Sequence, residues 1–396
     1  NTGYLFADRG RAYEEIARYY ASRHREDPLG GWEAKAFETA ERSRARGLLD
    51  LLEDSFALDA SPEALALIDS LSQVDTSSAD GRARRNEINV RLATMRAERR
   101  SDAVSSSLEP VELADLIKRK HSQTLILQYA VGDSATLMWV IDNKATELHE
   151  LPGRAEMRRR VEAFRGAIAQ PGVADDVLLR EGRALYQLLL GVAEDRINRR
   201  KNLIIVPDDV LFELPFSALL AADPAPDAAW SEQPFFGNKK RPAYAPSSTV
   251  YLMLREQKAG KFTRSLIAAG DVDYSGLDRE LEPLPYTREE VERIPHKLKE
   301  DDRYVLLGDA ASESTLKTAL TLGSTRVVHL ATHGLIDPAE PMRSSIALGP
   351  GRGEDGFLYS LEILSMQLDR PTIVLSACES ALGRLEKGEG VVGLTR

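Results

Sequence analysis

Apolar positions change their period along this chain, and the change marks out its regions. In the first region they recur at helical spacing: Ala12, Tyr13, Ile16, Ala17, Tyr19 and Tyr20 form one stripe. A turn containing Pro28-Leu29-Gly30-Gly31 follows, and Trp32 to Leu52 is rich in the strong helix formers Ala, Glu, Arg and Leu. Ser61-Pro62-Glu63 reads as a helix start, with Ser as cap and Pro in the first position. Thr76 to Gly81 is a polar break, and Arg82 to Arg100 reads as a charged helix with a solvated face. Residues 1–110 are therefore expected to be helical.

From about residue 111 the runs become short and β-branched. Thr124–Tyr129 and Thr136–Ile141, separated by Val131-Gly132-Asp133-Ser134, predict a hairpin, and Thr146–Leu151 a third strand. Helical patterns near Ala155–Ala169 and Val177–Arg196 lead to an apolar strand, Leu203–Val206, and Ala221–Ala229 is a loop. After Ser265 the alternation continues. Leu266–Asp271 is a strand, Glu282–Lys299 a Pro-punctuated helix, Tyr304–Leu307 a strand and Ser312–Thr321 a helix. The pattern ends with a strand before His333, a long loop to Asp355, a helix over Leu361–Leu368 and a strand before Cys378. Strands alternating with helices predict an α/β fold with a mostly parallel sheet flanked by helices, here preceded by the helical segment.

Two of those strands end on reactive side chains. Val327-Val328-His329-Leu330-Ala331-Thr332-His333-Gly334 and Thr372-Ile373-Val374-Leu375-Ser376-Ala377-Cys378 both read as buried parallel strands. The carboxyl edge of an open α/β sheet is where such folds place their chemistry. Cys378, the single cysteine, follows His333 by 45 residues. A thiol of pKa near ~8.5 is mostly protonated at neutral pH, so a nucleophilic cysteine needs a base such as imidazole beside it. Gly334 lets the backbone approach a bound carbonyl, and the amides of Gly334 and Cys378 suit an oxyanion. Read alone, a strand cysteine is more often a small core hydrophobe. The coincidence of both residues at strand ends favours catalysis.

Composition narrows the setting. The chain has 396 residues, 43% of them hydrophobic, and a net charge of −10. That charge argues against nucleic acid or an anionic membrane as partner. One cysteine makes no internal disulfide, which fits a reducing, cytoplasmic compartment. Gly349-Pro350-Gly351-Arg352-Gly353 lacks the Lys-Ser/Thr of a phosphate loop. His329, His333 and Cys378 lack a fourth ligand at zinc spacing, so no metal or other cofactor is expected.

The segments VVHLATHG and IVLSACES, with the following GEGVVGLTR, resemble the CHAT family of caspase-like peptidases, relatives of caspases, metacaspases and separase. Asn202–Asp208 with Leu214–Leu219, Tyr244-Ala245-Pro246-Ser247 and Asp355-Gly356-Phe357-Leu358 resemble further family elements, in the family's order, over roughly Leu113 to Arg396. The resemblance implies a caspase-like sheet with a dyad of Cys378 and His333. It implies a non-catalytic α/β half at 111–260 and a catalytic half at 261–396. Within residues 1–110, the hairpin of the Ala12–Tyr20 stripe and Trp32–Leu52 resembles the last unit of a tetratricopeptide array that binds a regulatory protein, with a generic helical hairpin as the alternative. The expected activity is a cysteine endopeptidase acting on a protein substrate in bacterial signalling or defence. The alternative is a caspase-like scaffold without turnover. Asp271, with Asp273 beside it, lies where relatives hold a substrate-contacting acid. Ser376 stands two residues before the cysteine, where arginine- or lysine-specific relatives carry an acid, so the preferred cleavage residue stays open. Asn1 and Arg396 are read as the ends of a piece of a longer protein, with a second chain expected to continue after Arg396.

Overall fold

The computed structural model describes residues 2–44, 110–169, 175–225, 228–256, 261–294, 298–337, 344–351, 353–366, 368–377, 384–386 and 390–392, plus isolated positions between 67 and 91. The expected helix start at Ser61, the polar break at 76–81 and most of the charged helix after it lie outside the described residues. The chain divides into two compact units: residues 1–48, 108–257 and 385–391, and residues 49–107, 258–384 and 392–396.

The first unit opens with a helical hairpin, Thr2–Glu26 and residues 32–44. Only part of the expected stripe is buried. Ala17 and Ala21 pack with Ala36, Phe37 and Trp139, whereas Ile16 and Tyr19 are exposed. The hairpin rests on a five-stranded sheet of order β3-β2-β1-β4-β5. Its strands are β1 (Thr124–Val131), β2 (Ala135–Ile141), β3 (Thr146–Pro152), β4 (Asn202–Val206) and β5 (Ala243–Tyr244). β1, β2 and β3 form an antiparallel meander, while β1, β4 and β5 run parallel. Alternate residues of β1 feed opposite cores. Leu125, Leu127 and Tyr129 pack on the helices Arg154–Ala169 and Asp175–Leu189, and Ile126 packs toward the hairpin. The single helix expected over Val177–Arg196 is broken after Leu189 by a 3₁₀ turn, Gly191–Ala193, before Glu194–Arg199 resumes. Glycine lacks the propensity to carry a helix through that point.

The second unit holds a four-stranded parallel sheet of order β12-β8-β6-β7. The strands are β6 (Arg264–Val272), β7 (Arg303–Gly308), β8 (Thr325–Ala331) and β12 (Thr372–Ser376). The helix Glu313–Thr321 covers one face through Leu316 and Ala319, against Ile267, Ala269, Val328 and Leu330. The helix Tyr286–Arg293 covers the other through Val291, against Leu266, Ala268 and Ala331. That helix is shorter than its sequence pattern, because Pro283 and Pro285 hold the chain before it out of helical geometry.

The expected loop between His333 and Asp355 contains structure. β9 (Gly334–Leu335), β10 (Ser345–Ala347) and β11 (Phe357–Tyr359) form a small antiparallel sheet. Its last turn depends on Gly356, at φ +89°, where an added Cβ would meet the Leu348 carbonyl at 2.8 Å. Among the described residues, no helix is long and apolar enough to cross a membrane.

Candidate functional site

The strand order of the second unit creates a switch point. From β6 the chain steps to β7 on one side, then crosses back to β8 and β12 on the other. Ligands of open α/β sheets bind outside the carboxyl ends of strands at such a reversal. β6 ends near Asp271, β8 leads two residues later to His333 and Gly334, and β12 ends at Ser376, paired with Ala331 of β8. The sheet thus brings Asp271, His333, Gly334 and Ser376 to one edge, on three neighbouring strands. Cys378 lies outside the described residues.

His333 is half-buried, and its ring is held from two sides. Its Nε2 lies 2.7 Å from the backbone carbonyl of Glu282. A carbonyl only accepts, so Nε2 is the protonated nitrogen and Nδ1 carries the lone pair in the neutral ring. The ring of Tyr274 sits 5.2 Å away, tilted by 56°. Tyr274 is itself fixed by a 2.7 Å bond between its hydroxyl and Thr332 Oγ1, which in turn donates to the Ala347 carbonyl at 2.5 Å. Burial raises the Tyr274 hydroxyl above the usual tyrosine range, so it remains a neutral donor.

Gly334 continues directly from this residue into β9. The Ala347 N–H donates to the His333 carbonyl at 2.9 Å, and Gly334 stands opposite Ile346. Antiparallel pairs alternate between bonded and non-bonded, so the Gly334/Ile346 pair is non-bonded and the Gly334 N–H points away from β10.

Asp271 is not a free acid. Its backbone adopts φ +51°, a strained conformation for a residue with a side chain. Its N–H donates to Thr287 Oγ1 at 2.9 Å, and its carboxylate accepts from Arg288. Asp273 binds the Ser275 N–H, which lowers its carboxyl below the ordinary range. His329 shares a strand face with His333 by sequence parity, but it is buried and lies 2.8 Å from Glu290 Oε1. The two histidines therefore have separate partners.

The residues that orient His333 were not legible in the sequence. Glu282 acts through its backbone, which no side-chain pattern reports, and Tyr274 and Thr332 become neighbours only when β6 and β8 pair.

A parallel sheet in this order, with helices on both faces and a histidine beyond the central strand at the switch point, defines a caspase-like α/β unit. The CHAT domain matches residues 179–396, more than half of the chain, and the chain belongs to that family. The match begins later than the resemblance from Leu113 and takes in β4 but not β1, β2 and β3. No curated protein matches the chain.

Proposed function

We propose that this protein is a cysteine endopeptidase in which Cys378 is the nucleophile and His333 its base. The orientation of the His333 ring by the Glu282 carbonyl is the observation that carries the reading, because it commits Nε2 and leaves Nδ1 to receive a proton. The register of β12 against β8 supports the partner. Ser376 pairs with Ala331, and Cys378 and His333 each follow two residues later in the sequence. Neighbouring strands lie about 4.8 Å apart, which would bring the thiol within reach of the ring.

In this mechanism Nδ1 of His333 takes the thiol proton, and the thiolate attacks the scissile carbonyl carbon. The N–H groups of Gly334 and Cys378 stabilise the oxyanion. Collapse breaks the C–N bond, His333 returns the proton to the leaving amine, and an acyl-enzyme forms. His333 then deprotonates a water that hydrolyses the thioester. No group outside the chain is needed. Asp271 and Ser376 stand at the substrate side of this edge. The substrate is a protein, and the helical hairpin is the surface for a regulatory protein in a bacterial cytoplasm.

The test needs no known substrate. Alkylation of Cys378 by iodoacetamide should be fast in the parent and slowed by about tenfold or more in His333→Ala at neutral pH. Cleavage of an unstructured protein should be lost in Cys378→Ala and in His333→Ala, with melting temperatures retained. A Cys378→Ala protein that cuts at the parent rate would sink the peptidase reading and favour a scaffold.

A further inference from the structure

The strap that orients His333 is short and stiff. Glu282, whose carbonyl receives the His333 Nε2–H, is followed by Pro283-Leu284-Pro285 and then by the helix Tyr286–Arg293. The pyrrolidine rings lock φ at Pro283 and Pro285, and each proline confines the residue before it, Glu282 or Leu284, to extended backbone. Few torsions are left free between the Leu284 and Glu282 carbonyls. A contact that fixes Leu284 therefore fixes the acceptor on His333.

Thr287 makes that contact. It is 9% exposed and stands in the first turn of the helix. Its N–H and its hydroxyl both donate to the Leu284 carbonyl, at 3.1 and 2.7 Å. Its Oγ1 also accepts from the Asp271 N–H at 2.9 Å, at the end of β6. One hydroxyl thus acts as donor and acceptor at once and joins the strap to the sheet. Gly270 permits the close approach: a Cβ there would meet the Thr287 carbonyl oxygen at 3.0 Å and Val291 Cγ2 at 2.8 Å. The positive φ of Asp271 falls at the same junction, and such strain persists only where surrounding contacts over-determine it. The remainder of the helix is held independently, by Val291 in the core and by Glu290 on His329.

We infer that Thr287 is a positioning residue for His333: its hydroxyl fixes the strap on β6 and so sets where the Glu282 carbonyl meets the ring. Thr287 acts only through Glu282. Arg288 is the weaker anchor, because its pair with Asp271 lies at the surface and does not involve the strap. The consequence for proton transfer rests on the peptidase reading; the placement of the ring does not.

The experiment reads the ring before it reads turnover. In the full chain carrying Cys378→Ala and 15N-labelled histidine, His333→Ala identifies the His333 signal among six histidines. An N–H held on a carbonyl is protected from exchange with water. Thr287→Val keeps the shape of the side chain and removes the hydroxyl, and it should speed exchange of the Nε2 proton about tenfold. Thr287→Ser should return it to the parent rate. If Thr287→Val folds poorly, Pro283→Ala loosens the same strap at an exposed position and should give the same acceleration. With Cys378 intact, Thr287→Val should lower kcat about tenfold at unchanged KM, and Thr287→Ser should recover it. Unchanged exchange in a folded Thr287→Val, or in Pro283→Ala, overturns the inference. So does acceleration that Thr287→Ser fails to reverse, or faster exchange with kcat unchanged. A parent with a protected Nε2 proton and no cleavage counts against the peptidase reading alone and leaves the exchange result standing.

Discussion

Both units gather polar residues at the carboxyl edge of their parallel strands, yet they treat those residues in opposite ways. At the carboxyl edge of β1, β4 and β5, Glu41 from the helical hairpin is fully buried. It accepts from the N–H groups of Ser248 and Thr249 and from Thr249 Oγ1, at 3.2, 2.8 and 2.7 Å. These amides begin the helix Ser248–Glu256, so a carboxylate of the hairpin caps that helix and meets its positive end. Ser247 adds a second cap by accepting from the Val250 N–H. Gln128 of β1 bonds Ser248, and Asp208, just beyond β4, accepts from the Val131 N–H and lies 3.6 Å from buried Arg44. At the corresponding edge of β6, β8 and β12, His333 stays half-buried and is oriented by a backbone carbonyl. The first edge is closed by charge pairing with the hairpin, which makes it structural. The second keeps an imidazole accessible and positioned. The same topological location therefore serves anchoring in one unit and proposed chemistry in the other.

The contrast breaks if the wrong edge proves catalytic, and the largest effect tests that directly. His333→Ala should lower kcat/KM by at least about 10³-fold with little change in melting temperature. Glu41→Ala should do the reverse, retaining the chemistry per folded molecule and costing about 3 kcal/mol in denaturant unfolding. Equal activity losses from the two substitutions, after correction for the folded fraction, would erase the distinction.

A second charge cluster shows that the second unit also uses pairing, away from its edge. Lys317 Nζ lies 2.6, 2.9 and 2.6 Å from carboxylates of Glu313, Glu354 and Glu362. Glu313 also accepts from the Gly356 N–H at 2.8 Å, and Glu362 from the Tyr359 N–H at 2.8 Å. Together they tie the helix Glu313–Thr321 to the segment leading toward β12. Lys317→Met leaves three acids facing one another, and a loss of about 3–5 kcal/mol is expected from chemical denaturation.

The pH dependence of this cluster has a definite sign. Burial pushes the Glu313 carboxyl up to about 7 from 4.5, against the pull of Lys317, and burial also raises Glu362. Glu313 binds its proton more readily folded than unfolded. Its contribution is therefore full below pH 4.5 and is lost as pH rises through about 7. Stability curves between those values should be flatter for Glu313→Gln than for the parent. A parent that gains stability from this residue over the same interval would contradict the assignment.

The smallest effect concerns orientation at the proposed active edge. Tyr274→Phe removes the bond to Thr332 and should cost about 1 kcal/mol of stability. If the Tyr274–Thr332 contact also steadies His333, kcat should fall by several fold while KM is retained. A change confined to stability would limit Tyr274 to a packing role.

Much of the fold is legible in the sequence alone. Strand positions followed from short β-branched runs, since a strand buried on both faces must be apolar throughout. The helix expected over Ser312–Thr321 starts one residue later, at Glu313, because the Ser312 side chain caps it: its Oγ accepts from the Thr315 N–H. His333 stood out as a polar residue where an apolar run stops. Other features were fixed only by tertiary contact. The small sheet around Gly334 is held by pairings too short to leave a period. The Asp271–Arg288 pair, the Glu282 carbonyl against His333 and the burial of Glu41 all join residues from separate elements. Periodicity reports which face of one element is apolar. It carries no information about which charge or carbonyl another element presents to that face, and those pairings decide here which polar groups anchor the fold and which are left for chemistry.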